Sequence, residues 1–380
     1  MTTDELVAGA RLGDYRIERL LGRGAMGNVY VATNLRLEKH VALKVLAPVL
    51  ASDPAIVRRF VREGDAAARI HHAHVVEVFD AGTADGWTYL AMELLEGGTL
   101  SERFARGAVP PEELASLMLP VLAGVATAHE LEIIHRDLKP DHVFLRRAEG
   151  GGVHPIVLDF GISKVSVGRL SLGVASSSTQ VHSPMGTPHY LSPEQARGGR
   201  YVTSAVDQYA LGVLMYEGAT GRRPFEGDSP YDLVRKITSG VFERPEVVNP
   251  TVPPAMATVI MRAMALDPQA RFTSAWAMGA MLVPVASERA QDRWREVFAR
   301  KTGGFAAANT AERLAGAHVV ATAEAAATAE RGRRRSRAVP VAVGLVAAAL
   351  VTWLFLATRA KPGVALPTTS SVAPRPSTSP

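Results

Sequence analysis

The chain has 380 residues, 47% of them hydrophobic and 21% charged, and contains no cysteine. Such a composition belongs to a folded globular chain, and it excludes disulfides, thiolate catalysis and cysteine-ligated metal centres. The net charge of +5 is matched by Arg331, Arg333, Arg334, Arg335 and Arg337 alone, so the rest is formally neutral and offers no general nucleic-acid surface.

Residues 1–14 read as a polar leader. Asp4, Glu5, Arg11 and Asp14 interrupt it, and it has no apolar core of signal-peptide length, so the chain is expected to begin in the cytosol. Two β-rich runs, Tyr15–Leu21 and Val29–Ala32, flank Gly22-Arg-Gly24-Ala-Met-Gly27. A glycine triplet alone is a weak signal. Strands on both sides predict a hairpin with a glycine turn, whereas a dinucleotide fold would place a helix after the loop. Glycines there let backbone N–H groups approach phosphate without obstruction by Cβ.

A third strand is predicted over His40–Leu46, with Lys44 inside its apolar run. An ammonium group buried without a partner is costly, so Lys44 needs anions. Phosphate oxygens and a carboxylate would serve. Glu63 is the expected carboxylate, in a run whose apolar positions Ile56, Phe60, Ala67 and Ile70 have helical spacing.

Further on stands Ile134-His135-Arg136-Asp137-Leu138-Lys139-Pro140. Asp137 suits acceptance of a hydroxyl proton, and Lys139 suits neutralisation of a migrating phosphoryl group. A short buried strand, Ile156–Leu158, leads to Asp159-Phe160-Gly161. A carboxylate at a strand end beside glycine is a sensible ligand for Mg²⁺, which prefers oxygen.

Together these motifs, in this order, resemble the protein kinases, and most closely the eukaryotic-like serine/threonine kinases of bacteria. The resemblance covers about residues 15–282. It implies an α+β, two-lobed protein-kinase fold, with a small β-rich N-lobe and a larger helical C-lobe. By the same resemblance, Gly22, Gly24 and Gly27 cover the phosphates of ATP, and Lys44 contacts them while pairing with Glu63. Leu21, Val29, Ala42 and Phe144 would enclose the adenine, with Met92 as gatekeeper and Glu93 and Leu95 offering hinge backbone groups. Asp137 is implied as catalytic base, Lys139 as its neighbour and Asp159 as the Mg²⁺ ligand. Gly186-Thr187-Pro188-His189-Tyr190-Leu191-Ser192-Pro193-Glu194 resembles the substrate-binding loop, with Glu194 expected to pair with Arg271 and Asp207 expected to brace the catalytic loop. Lys139 and Gly186-Thr187 favour Ser/Thr hydroxyls of protein substrates. Ser176, Ser177, Ser178, Thr179 and Ser183 form a polar loop that suits autophosphorylation, with Arg136 receiving the phosphate, and equally a merely flexible segment. His71-His72-x-His74 has metal-like spacing but falls where the family places a structural histidine loop.

One position departs from the family. Where an asparagine stands five residues after the catalytic aspartate, this chain has His142. Imidazole is a poor ligand for Mg²⁺ and a better one for Mn²⁺ or softer ions, and a protonated ring would repel metal. Two readings stay open: an active Ser/Thr kinase using ATP with Mg²⁺ or Mn²⁺, or a nucleotide-binding scaffold impaired in transfer. Homodimerisation would serve autophosphorylation.

Residues 283–337 read as a juxtamembrane linker. Ala338–Thr358 carries no charge over about 20 residues, enough to span a bilayer. The arginine cluster on its N-terminal side predicts a single-pass helix with the kinase domain in the cytoplasm, at the inner membrane. Residues 359–380 are expected as a short disordered external tail.

Overall fold

The structure, a computed structural model, describes residues 5–148, 151–160, 189–199 and 202–303. The N-terminal part is built on a six-stranded sheet in the order β1-β2-β3-β4-β6-β5. Its strands are β1 (Arg11–Leu12), β2 (Tyr15–Gly24), β3 (Gly27–Asn34), β4 (Lys39–Leu46), β5 (Val78–Ala84) and β6 (Trp87–Glu93). The paired neighbours are all antiparallel. The expected hairpin is present: β2 and β3 pair down to Gly24 opposite Gly27, with shifts of register between Ile17 and Arg19 and between Leu20 and Gly22. Side chains alternate across a sheet, so register decides which residues share a face. Val29 lies opposite Lys44, Lys44 opposite Leu90, and Ala42 opposite both Val31 and Met92, which puts all six on one face. The opposite face carries Tyr15, Tyr30, Val41, Leu43, Val45, Tyr89 and Ala91, packed with Leu12 and Ile17 into a separate small core.

After α1 (Pro48–Ala51), helix α2 (Pro54–Ala67) begins at Asp53, whose carboxylate accepts the Ala55 amide at 2.8 Å. Its buried positions are Phe60, Glu63, Gly64 and Ala67, the spacing of one helical face. A Cβ at Gly64 would lie 2.7 Å from Leu90 and 2.8 Å from Ala81, so glycine lets α2 press against β5 and β6. Glu63 is therefore carried inward with the apolar residues.

The C-terminal part is mainly helical and begins with α3 (Leu100–Phe104) and α4 (Pro111–Glu130). A second sheet of β7 (Gly97–Thr99), β8 (Val143–Arg147) and β9 (Val153–Val157) lies in the order β7-β8-β9. There follow α5 (Pro193–Ala196), α6 (Ala205–Thr220), α7 (Pro230–Ser239), α8 (Pro245–Val248), α9 (Pro254–Ala263) and α10 (Ala275–Leu282). Helices α4 and α6 are buried on nearly every side, and so they read as continuously apolar rather than amphipathic. Gly221 ends α6 in the left-handed region, with φ 73°.

The fold continues past residue 282. A further helix, α11 (288–303), lies within the segment read from sequence as linker. Trp294, Val297 and Phe298 stand one turn apart and pack on the core, with Phe298 fully buried against Trp276 and Gly279. Burial of two large aromatic rings outweighs the alanine- and arginine-rich composition that suggested a linker. Among the described residues no helix is long and apolar enough to cross a membrane, and Ala338–Thr358 lies outside them.

Candidate active site

The glycines of the hairpin divide by what holds them. Gly27 has φ +142°, and a Cβ there would sit 1.9 Å from the Val45 carbonyl oxygen and 2.8 Å from the Ala47 amide. It is glycine because β3 passes too close to the end of β4 for any side chain. A Cβ at Gly22 would meet nothing within 4 Å, and one at Gly24 would meet only the Gly27 carbonyl oxygen at 3.5 Å. Nothing in the described chain demands glycine at these two positions, so the open space they leave is available to a ligand. Glu5 of the leader grips Arg23 between them with two hydrogen bonds, 2.7 and 3.1 Å. Motif reading missed this contact, since no pattern links a leader glutamate to a loop arginine.

Beneath the loop, Ala42 and Met92 are buried on the sheet face described above, Val29 is half-buried and Leu21 is exposed. Leu95 and Phe144 are half-buried. Ala42 and Met92 belong to the main hydrophobic core, and Val29 and Leu95 pack against it. Glu93 donates its amide to the Glu77 carbonyl at 2.9 Å, so that amide is not offered to a base, and its carboxylate accepts from Arg146 at 2.8 Å.

Lys44 is the first correction. Its ammonium pairs with Asp159 Oδ2 at 2.8 Å and not with Glu63. Both Glu63 carboxylate oxygens are buried without a hydrogen-bond partner. Burial raises the Glu63 carboxyl to about 7, although the charges of Arg59, Arg136 and Arg62 work the other way. Burial also opposes ionisation of Asp159, but the Lys44 charge and hydrogen bond outweigh it and hold that carboxyl down to about 2. The pairing predicted on α2 is therefore unmade in this conformation.

The catalytic loop is fastened from below. Asp207, on α6, accepts the His135 amide at 2.8 Å and the Arg136 amide at 2.7 Å, as its expected bracing role requires. His129, at the end of α4, also bonds Asp207, at 2.7 Å. Burial would raise Asp207, yet the His129 hydrogen bond and neighbouring charges hold it below the usual carboxylate range. His129 lies outside every motif, so sequence reading passed over it. Arg136 sits at φ 69° and Asp159 at φ 57°, uncommon values for residues with a side chain, which marks this loop and the Asp159 turn as held under strain. Gln195 of α5 donates to the Arg136 carbonyl at 2.9 Å and ties the substrate-side segment to the same loop. The expected Glu194–Arg271 pair forms with two bonds of 2.7 and 2.8 Å, and Arg271 is fully buried.

Asp137 remains partly exposed, with Lys139 Nζ 3.3 Å from its Oδ2. An exposed carboxylate beside a lysine can meet an incoming hydroxyl. His142 closes the site. Its Nδ1 lies 2.7 Å from the Asp137 carbonyl oxygen, and its Nε2 lies 3.8 Å from Asp159 Oδ2. Burial lowers the affinity of His142 for a proton, against the attraction of Asp159 and Asp137. The protonated ring that sequence reading allowed for is thus disfavoured by burial.

For a divalent cation, the donor set fits in part. Asp159 offers the hard oxygen Mg²⁺ requires, whereas His142 offers nitrogen where an oxygen donor was expected. For the triphosphate, the open space at Gly22 and Gly24 and the Lys44 ammonium fit. Elsewhere, His74 bonds the Pro155 carbonyl at 2.8 Å, stacks on His154 at 4.2 Å and is packed near Trp294, a structural setting. Gly161, Ser176, Ser177, Ser178, Thr179, Ser183, Gly186, Thr187 and Pro188 lie outside the described residues.

Comparison with known proteins follows the same boundaries. The protein kinase domain pattern matches residues 15–283. The serine/threonine-protein kinase PrkC of Bacillus subtilis is 37% identical over 272 residues, 71% of this chain and 40% of that protein. The serine/threonine-protein kinase PknL of Mycobacterium tuberculosis is 35% identical over 295 residues, 77% of this chain and 71% of its own length. Serine/threonine-protein kinase pkn3 of Myxococcus xanthus is 39% identical over 293 residues, with 76% of this chain and 52% of that protein covered. The chain thus spans about half or less of the length of PrkC and pkn3. Among solved structures, the Mycobacterium tuberculosis PknI kinase domain superposes with a TM-score of 0.58 at 28% identity, covering 74% of this chain and 100% of that one. Two lobes, a glycine hairpin over Lys44, and a braced loop carrying Asp137 opposite Asp159 agree with these likenesses: the chain belongs to the protein kinase family.

Proposed function

We propose that the chain is a serine/threonine protein kinase that transfers the γ-phosphoryl group of ATP to Ser or Thr hydroxyls of protein substrates. The observation that carries this reading is the partly exposed Asp137, paired with Lys139 on a loop clamped by Asp207, facing Asp159 and Lys44. The serine/threonine-kinase names of the relatives support it.

Phosphoryl transfer is mainly positioning and charge neutralisation. Gly22 and Gly24 leave room for backbone donors to reach phosphate oxygens. Lys44 is poised to move from Asp159 to the phosphates and to Glu63. Asp159 would then hold the divalent cation, which supplies charge neutralisation at the phosphates when bound. Asp137 orients the attacking hydroxyl and takes its proton, and Lys139 offsets negative charge on the moving group.

Radiolabelled ATP with Mg²⁺ or Mn²⁺ tests this directly. The wild type is expected to label its own Ser or Thr residues and Lys44→Ala to label none. ATP binding without label above the Lys44→Ala background favours the second reading, an impaired scaffold, for which His142 and the unpaired Glu63 speak. Label appearing on Lys44→Ala protein when it is mixed with wild type would support homodimerisation for autophosphorylation.

The same proposal includes single-pass anchoring in the inner membrane through Ala338–Thr358, a cytoplasmic kinase domain and a role in signal transduction. Deleting 338–358 should move the protein from the membrane fraction to the soluble one, and retention in the membrane would overturn the anchor.

A further inference from the structure

We propose that His142 Nε2 and Asp159 serve, beside the nucleotide, as the protein ligands of a mixed nitrogen–oxygen cation site that takes Mn²⁺ in preference to Mg²⁺. The proposal rests on the reading of the cleft as a site for ATP with a divalent cation.

A backbone carbonyl can only accept, and the Asp137 carbonyl oxygen lies 2.7 Å from His142 Nδ1. The ring proton therefore resides on Nδ1, and Nε2 carries a free lone pair. That lone pair lies 3.8 Å from Asp159 Oδ2, too far for a hydrogen bond. Both atoms are acceptors, and the charge of Asp159 Oδ2 is met for now by Lys44 Nζ at 2.8 Å. A cation taking both lone pairs in place of Lys44 would draw the two atoms closer together than 3.8 Å.

The ring is also held in place. His142 closes a short turn, Pro140–His142, in which its amide bonds the Lys139 carbonyl at 2.9 Å. Its own carbonyl receives the Leu158 amide at 2.9 Å, which locks it to the segment that carries Asp159. The side chain is only 16% exposed, with the His135 ring 5.6 Å away on one side. A fixed Nδ1–H donor to a backbone carbonyl is the outer-shell arrangement that sets metal-ligating histidines.

Selectivity follows from ligand chemistry. Mg²⁺ holds its oxygen shell and dehydrates reluctantly, while Mn²⁺ accepts imidazole nitrogen along with carboxylate and phosphate oxygen. Among the described residues no group of three His, Asp or Glu side chains is placed to hold a metal. The remaining ligands must be phosphate oxygens and water, so the site assembles only with nucleotide present. Lys44 now occupies Asp159 Oδ2 and would be displaced as the cation arrives.

Pulsed electron paramagnetic resonance of Mn²⁺ with ATP on the full chain reads the ligand directly. The wild type should show modulation from a directly coordinated nitrogen, changed by heavy-nitrogen labelling of the protein and abolished in His142→Asn and His142→Ala. In competition, the Mg²⁺ concentration needed to displace Mn²⁺ should fall at least about tenfold in His142→Asn. Bound Mn²⁺ and ATP without nitrogen modulation would overturn the inference while leaving the nucleotide site intact. So would modulation that persists in His142→Ala, or equal competition in wild type and His142→Asn. A spectrum of wholly free Mn²⁺ and unbound ATP would instead overturn the reading of the cleft, and the inference with it. Retained ATP binding and an unchanged melting temperature establish that the variants are folded.

Discussion

Replacing Glu63 by glutamine should stabilise the nucleotide-free protein at alkaline pH and leave it unchanged at acid pH. Glu63 is 7% exposed, and neither of its carboxylate oxygens finds a hydrogen-bond partner. Burial raises its carboxyl from the ordinary 4.5 to about 7, so the folded protein keeps a proton that the unfolded chain gives up. Between those values the folded state binds more protons than the unfolded state, and stability falls as pH rises. The stabilising contribution is complete below 4.5 and is lost as pH climbs through 7. A difference of this size corresponds to about 3 kcal/mol. Glutamine cannot ionise and is close to isosteric. Urea denaturation without nucleotide, followed by tryptophan fluorescence at pH 5 and pH 8, measures the effect. Glu63→Gln should exceed wild type by about 3 kcal/mol at pH 8 and by less than about 1 kcal/mol at pH 5. Stability differences that stay constant with pH would refute the reasoning, because they would mean that Glu63 is paired or solvated in the folded protein.

Four further outcomes follow from packing and from the space at the glycine loop. Gly27→Ala should cost about 2–4 kcal/mol in a thermal melt, because its Cβ would sit 1.9 Å from the Val45 carbonyl oxygen at φ +142°. Gly22→Ala, with nothing within 4 Å, should change stability by less than about 0.5 kcal/mol while weakening ATP binding. Arg271→Ala strips Glu194 of its partner and removes bonds to the Ala205 and Ala265 carbonyls, so a loss of about 3–5 kcal/mol is expected in denaturant. Arg271→Lys should lose less, since it keeps the charge but not the fork. Phe298→Ala should cost about 3–5 kcal/mol and open 288–303 to limited proteolysis, since the ring is fully buried against Trp276 and Gly279.

The sequence by itself determined the elements and most of the residues at the site. The glycine turn between strands, the apolar run around Lys44 and the one-sided face of α2 are short-range patterns, and backbone geometry alone makes them legible. Asp137, Lys139 and Asp159 were readable because each stands in a local motif whose chemistry is carried by adjacent residues. The brace from Asp207 and the Arg271–Glu194 pair also form as expected. The end of the domain was harder, because an alanine-rich segment reads as linker until Trp294 and Phe298 are seen to fill space beside Trp276. Only the tertiary structure decided which carboxylate Lys44 holds. Lys44 Nζ meets Asp159 Oδ2 at 2.8 Å while both Glu63 oxygens stay buried without a partner, an outcome of tertiary packing that no local pattern records. Only the fold, too, put the His142 proton on Nδ1: the Asp137 carbonyl, five residues earlier in sequence, takes that bond and turns Nε2 toward Asp159. Residue types follow from the chain, but the partner each polar group chooses is settled by distances between segments far apart along it.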